Sequence, residues 1–242
     1  MAKIDLSRFR MFSFDCYGTL IDWEAGLVEA LTPICADNGL AWSPEALLSA
    51  FGSAEHGVQE SGQGEGFLCY REVLSRTLQE MGRTLGFRPN ANECARFAAS
   101  VSDWPAFADT RAGLLALAEF GQLAILSNVD NDLFAGSARS LGVPIDHVFT
   151  AQVIGSYKPD PGNFDYLIEN AGVPKEELLH VAQSLFHDVG PAREAGLATV
   201  WVNRRQGKSG TGATPNSSAT PDLEVPDLAT LAALVRASHL RG

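Results

Sequence analysis

The chain has 242 residues, 45% of them hydrophobic and 19% charged, which suits one large domain or a core domain carrying a smaller insert. Its 29 acidic and 18 basic residues leave a net charge of −11, so no basic stripe is available to neutralise nucleic-acid phosphates, and any anion site must be locally positive. The start, Met1-Ala2-Lys3-Ile4-Asp5, is not a signal peptide, and no stretch approaches the ~18 apolar residues of a membrane span. Cys16, Cys35, Cys69 and Cys94 are scattered with no CxxC pair, as expected of reduced thiols in a cytoplasmic protein.

In chain order, Met11-Phe12-Ser13-Phe14 reads as a short buried strand, followed by Asp15-Cys16-Tyr17-Gly18-Thr19-Leu20-Ile21-Asp22. The strand stops at an aspartate, a glycine lets the backbone turn, and a hydroxyl follows four positions after the acid. Reactive groups of open α/β sheets stand at the carboxyl ends of strands, although such an aspartate can also simply cap its turn. Helical spacing then runs from Trp23 to Asn38, and Ser43-Pro44-Glu45 starts a second helix. A glycine-rich break over residues 60–66 precedes a helix from about Phe67 to Met81, and another spans about Ala91 to Ser100. No convincing strand falls between 24 and 103.

After Trp104-Pro105 strands and helices alternate. Strands are expected at Leu123–Leu126, Val148–Thr150, Leu178–Ala182 and Ala198–Val202. Helices are expected at Leu133–Leu141, Phe164–Asn170, Val189–Ala195 and Leu228–His239. This rhythm predicts an α/β fold with a doubly wound parallel sheet. The segment Arg204–Pro221, rich in Gly, Ser, Thr and Pro, reads as a mobile excursion.

Three further segments carry chemistry-bearing residues. Ser127-Asn128 follows the Leu123–Leu126 strand, Lys158 lies in Tyr157-Lys158-Pro159-Asp160-Pro161, and Asp188 lies in Gln183-Ser184-Leu185-Phe186-His187-Asp188. Each has a plain structural alternative: a turn, a surface lysine, and a helix-start aspartate favoured by the dipole. His187 reads as a neighbour rather than a general base.

Taken in this order, the four segments resemble the motifs of the haloacid dehalogenase (HAD) superfamily, and Asp15-Cys16-Tyr17-Gly18-Thr19 resembles its 2-haloacid dehalogenase (type II) branch. The resemblance implies a Rossmann-like core, residues 1–22 and 104–242, with an inserted all-helical cap, residues 23–103. It implies Asp15 as a covalent nucleophile, supported by Thr19, Lys158 and Asp188 as catalytic partners. Cys16, Tyr17, Ser127, Asn128 and Ser184 would bind the substrate, a small anionic molecule. No cofactor is implied for dehalogenation. A Mg²⁺-dependent phosphatase would instead place the metal at Asp15, the Tyr17 carbonyl and Asp188.

Two positions separate these reactions. HAD phosphatases carry an acid two residues after the nucleophile to protonate the leaving alkoxide, and this chain has Tyr17, whose ordinary pKa of about 10 suits that role badly. They also pair two acids in the fourth motif, and the earlier of the two is Ser184 here. Halide is a weak base and leaves without a proton, so a dehalogenase-type hydrolase is the first reading, a Mg²⁺ phosphatase the second, and a non-catalytic small-molecule binder the third. Three departures from the dehalogenase pattern bear on the substrate. Glu45-Ala46-Leu47 stands where the branch has a cap arginine, with Arg71 a candidate replacement. Phe164 replaces a tyrosine, and Ser184-Leu185 replaces Ser-Asn. Trp23, Phe67, Tyr70 and Trp104 are candidates for an apolar wall. A homodimer remains open.

Overall fold

A computed structural model describes residues 4–62, 66–206 and 217–241. Its centre is a six-stranded sheet in the order β3-β2-β1-β4-β5-β6, parallel throughout. The strands are β1 (Met11–Phe14), β2 (Gln122–Ser127), β3 (His147–Thr150), β4 (Leu178–Ala182), β5 (Ala198–Val202) and β6 (Leu223–Val225). β1 lies in the middle and is buried along its whole length, so Asp15 emerges at the point where strand order reverses, the place open α/β sheets reserve for ligands.

Alternation along the strands divides the apolar residues between two faces. Phe12, Phe14, Leu123, Ile125, Leu179 and Val181 join one large cluster, while Met11, Ala124, Leu126 and Leu178 join a second. Helices α5 (Thr110–Ala118), α6 (Asn131–Leu141) and α10 (Leu228–His239) contribute to the first cluster. Helices α8 (Gly162–Asn170) and α9 (Gly190–Glu194) contribute to the second, and the short α7 (Ala151–Ile154) follows β3.

Between β1 and α5 run α1 (Trp23–Asp37), α2 (Pro44–Gly62), α3 (Tyr70–Leu85) and α4 (Ala91–Ala99), with no strand among the described residues. Asp22 caps α1 by accepting from the Ala25 amide at 3.2 Å. Gly26 lets α1 meet Trp104 closely, since a Cβ there would stand 2.3 Å from the indole. Asn90 and Glu93 form a reciprocal capping box on α4. The helix expected from Phe67 begins at Tyr70 because its cap is distant in sequence. Asp130, just after β2, accepts from the Tyr70 and Arg71 amides at 2.8 and 2.9 Å.

Two elements carry little local signal. α5 has no side-chain cap and contains Gly113, and β6 is three residues at the sheet edge. Residues 63–65 of the glycine-rich break and 207–216 of the expected excursion lie outside the described residues. Arg204, where that excursion was expected to start, is instead anchored. Its guanidinium donates to the Thr19 carbonyl at 2.8 Å and pairs with Asp109 at 2.7 Å.

Candidate active site

The site is built at the carboxyl edge of the sheet. After β1 the chain folds back on itself, with the Gly18 amide donating to Ile21 and the Leu20 amide to Cys16. Gly18 has φ of +94°, a conformation costly for other residues, and a Cβ there would press on Trp23 and Gln183 at 3.1 Å. This turn returns Thr19 to Asp15. Its hydroxyl donates to Asp15 Oδ2 at 2.8 Å and accepts from the Gln183 amide at 2.9 Å.

Lys158 is the buried centre of the cluster. Its ammonium lies 2.9 Å from Asp15 Oδ1, 2.5 Å from Asp188 Oδ1 and 2.9 Å from the Leu126 carbonyl. Asn128 fixes its backbone twice, donating to the Lys158 carbonyl at 2.9 Å and accepting from its amide at 2.8 Å. Burial alone would lower the Lys158 pKa, but the two carboxylates more than offset it and hold the ammonium charged. Burial likewise opposes ionisation of Asp188, yet Lys158 and a bond from His180 hold that carboxyl at about 2. Burial is the leading influence on Asp15, and with the Asp188 charge it raises that carboxyl against the pull of Lys158.

Behind this cluster is a group that the sequence reading did not single out. His180 Nε2 lies 3.1 Å from Asp188 Oδ1, and its Nδ1 lies 2.9 Å from Ser13 Oγ, with all three side chains buried. A neutral ring with its proton on Nε2 satisfies both contacts, donating to the carboxylate and accepting from the serine. Phe164 packs edge-on against this ring at 5.3 Å. The replacement of a tyrosine by Phe164 therefore falls beside a histidine in the core. Strand register explains the arrangement, because Ser13 of β1 is the direct partner of His180 of β4.

A cavity of about 70 Å³ opens onto the cluster, lined by Asp15, Tyr17, Trp23, Glu55, Gln59, Tyr70, Ser127, Asn128, Lys158, Gln183, Ser184, His187 and Asp188. A larger neighbour of about 630 Å³ shares Gln59, Lys158 and His187 with it and includes Phe67. The structure therefore gathers Asp15, Tyr17, Ser127, Asn128, Lys158, Ser184 and Asp188 around one space, with Thr19 directly behind. Ser127 Oγ is buried and has no hydrogen-bond partner, a donor available to a ligand. Ser184 accepts from the His187 amide at 2.9 Å and lies 3.2 Å from its Nδ1. Burial lowers the His187 pKa to about 4, so the ring is neutral at pH 7.

Tyr17 is held by its surroundings. Its hydroxyl lies 2.8 Å from Ser137 Oγ, its ring meets Trp104 edge-on at 5.7 Å, and burial pushes its pKa well above 10. Trp104 is thus core packing beneath Tyr17, whereas Trp23 and Tyr70 are cavity walls. The Cys16 side chain is not part of the site. It is fully buried in the large apolar cluster, where burial raises its pKa well above the usual thiol value. Arg71 does not replace the absent cap arginine either. It pairs with Asp132 at 2.6 Å on the surface and is not among the residues lining the cavity.

The donor set fits Mg²⁺ poorly. The Lys158 ammonium lies between the two carboxylates that would ligate the ion, Thr19 donates to the remaining Asp15 oxygen, and Ser184 replaces the further acid. Among the described residues, no group of three His, Cys, Asp or Glu side chains is arranged to hold a metal.

A family model described as haloacid dehalogenase-like hydrolase matches residues 9–196. The chain belongs to this family. Among its haloacid dehalogenase-like relatives is (S)-2-haloacid dehalogenase 1 of Pseudomonas sp. (strain CBS-3), 25% identical over 197 residues, 79% of this chain and 83% of that one. Another is the phosphoglycolate phosphatase of Rhodospirillum rubrum, 31% identical over 199 residues, 77% of this chain and 76% of that one. The solved L-2-haloacid dehalogenase of Xanthobacter autotrophicus superposes with a TM-score of 0.79 at 24% identity, covering 94% of this chain and 98% of that one. At that identity the likeness establishes the shared fold. The protein is a hydrolase with a parallel α/β fold, and among the described residues no helix is long and apolar enough to cross a membrane.

Glu55 and Gln59 are further cavity residues without a motif. Glu55 falls one and two helical turns after Phe51 and Leu47, both fully buried. An acid on the apolar stripe of a helix is the signal that could have found it.

Proposed function

We propose that this hydrolase displaces halide from a small 2-haloalkanoic acid, with residues 23–103 acting as the cap over a core of residues 1–22 and 104–242. The observation that carries the proposal is the engagement of Tyr17. Its hydroxyl is tied to Ser137 and its pKa is raised, so the position two residues after the nucleophile offers no proton to an alkoxide. Halide needs none. In this mechanism an Asp15 oxygen attacks C2, forming a C–O bond as the C–X bond breaks and its electron pair departs with the halide. Water then attacks the Asp15 carbonyl carbon. The acyl–oxygen bond breaks, one proton of the water passes to the departing oxygen and the other is released to solvent, freeing a 2-hydroxy acid and restoring the carboxylate.

Thr19 and Lys158 orient the Asp15 oxygens, and Asp188 with His180 holds Lys158 in place. Ser127 Oγ is the donor for the substrate carboxylate. In this reading Lys158 supplies the positive charge beside Asp15, and the reaction calls for no metal. The test is halide release from a panel of 2-haloalkanoates without added metal, followed by mass spectrometry of the protein after turnover in ¹⁸O-water. We expect halide release that is absent in Asp15→Asn and label incorporated into Asp15. Absence of halide release from every acid in the panel would overturn the proposal.

The 31% identity to a protein named phosphoglycolate phosphatase favours a second reading, Mg²⁺-dependent hydrolysis of a small phosphate ester. It predicts phosphate release abolished by chelator, measured in the same panel.

A further inference from the structure

The cavity wall has two chemically different sides. The sheet side supplies Lys158 and the unpartnered Ser127 hydroxyl, both suited to an anion. The helical side supplies Glu55 of α2. Its carboxylate accepts from the Tyr70 hydroxyl at 2.7 Å, which leaves lone pairs on both oxygens. Burial raises this carboxyl to about 6, so at pH 7 it is mostly ionised while only partly exposed to solvent. Lys158 is already shared by Asp15 and Asp188. His187, on the same wall, is neutral. His56, the next residue on α2, lines the larger neighbouring cavity and favours the Glu55 anion, but among the described side chains that line the smaller cavity no cation is paired with Glu55.

A partly buried carboxylate facing a small substrate space repels a second anionic or apolar group and rewards a donor. An arginine in the cap would do the reverse. Resting on the dehalogenase reading, we propose that Glu55 is a specificity residue that binds a hydrogen-bond donor on the substrate, ammonium ahead of hydroxyl. The preferred substrates are then short 2-halo acids bearing an amino substituent. The carboxylate end lies toward Ser127 and the ammonium toward Glu55, giving a zwitterion complementary to the two walls.

Three isosteric acids separate this assignment from a purely structural Glu55–Tyr70 tie: 3-aminopropanoate, 3-hydroxypropanoate and butanoate. Calorimetric titration of the native protein should show 3-aminopropanoate binding at least tenfold tighter than butanoate, with 3-hydroxypropanoate between them. In Glu55→Gln the ratio should fall to near one. Equal affinities in the native protein, or no binding of any of the three, would overturn the proposal, and neither result depends on the variant folding. A preference that persists in Glu55→Gln would also overturn it. The kcat/KM ratio for 2-chloro-3-aminopropanoate over 2-chlorobutanoate should follow the binding ratio. If neither is dechlorinated but the binding preference holds, the dehalogenase reading fails and the Glu55 assignment stands. If both are dechlorinated equally, the reverse is true.

Discussion

The two sides of the cavity are built to different standards. On the sheet side, Thr19, Asp15, Lys158, Asp188, His180 and Ser13 form a buried chain in which each polar group meets the next within 3.1 Å. On the helical side, Glu55 is tied to Tyr70, beside Trp23 and Gln59. A fully paired buried network holds one geometry, because any displaced member leaves a neighbour desolvated and unpaired. The sheet side is therefore suited to fixing the attack, and the looser helical side to choosing what is attacked. One fold can serve several substrates by this division.

The comparison can be broken most severely at Lys158. Replacement by methionine leaves two buried carboxylates facing each other without a cation, so Lys158→Met should lose about 3–5 kcal/mol of stability in urea unfolding. Activity should be lost with it. A stability near that of the native chain would mean that the network is not the rigid element inferred here.

His180→Leu removes one donor from Asp188 and the partner of Ser13 while keeping the apolar volume. The expected effect is a fall in kcat of about 10-fold with KM little changed, since orientation rather than binding is disturbed. The acid limb of the pH–rate profile should shift upward, because the Asp188 anion has lost a bond that favours it. An unchanged profile would make His180 mere core packing.

At Glu55 the effect has the opposite sign. Its folded pKa of about 6 exceeds the ordinary 4.5, so the folded chain binds the proton more tightly than the unfolded one. Stability is thus lost as pH rises from about 4.5 through 6, and the cost is complete above that range. Glu55→Gln should therefore stabilise the protein by up to about 2 kcal/mol at pH 8 and by little below pH 4. Thermal unfolding of both proteins across that range tests it. A pH-independent difference would contradict the raised pKa.

The smallest change is expected at Tyr17→Phe. It removes one hydrogen bond to Ser137, whose hydroxyl keeps a 3.4 Å contact to the Val101 carbonyl. A loss of about 1 kcal/mol with kcat nearly intact is expected. A collapse of kcat instead would give the Tyr17 hydroxyl a chemical role.

Much of the fold is readable from residue order. β4, β5 and α10 begin and end at the positions that apolar patterning marks, because each is a continuous run bounded by turn residues. α3 starts three residues later than its pattern suggests, since its cap comes from Asp130, 60 residues away in sequence from Tyr70. The motif segments name Asp15, Thr19, Lys158 and Asp188, and the structure brings these four side chains together. Cys16 shows the limit of a motif: its neighbours face the cavity while its own side chain turns into the core.

The amino-acid sequence by itself determined the family, the alternating α/β order, and the identity of the groups at the strand ends. Local periodicity and short motifs carry that information, and both are properties of neighbouring residues. Only the tertiary structure decided which groups share one space. His180 is an ordinary residue of an apolar strand until the β1–β4 register sets it between Ser13 and Asp188. Glu55 is one acid on a helix until α2 packs against α1 and α3 and brings it to the cavity that Asp15 also lines. Long-range packing creates both environments, so no local stretch of sequence records them.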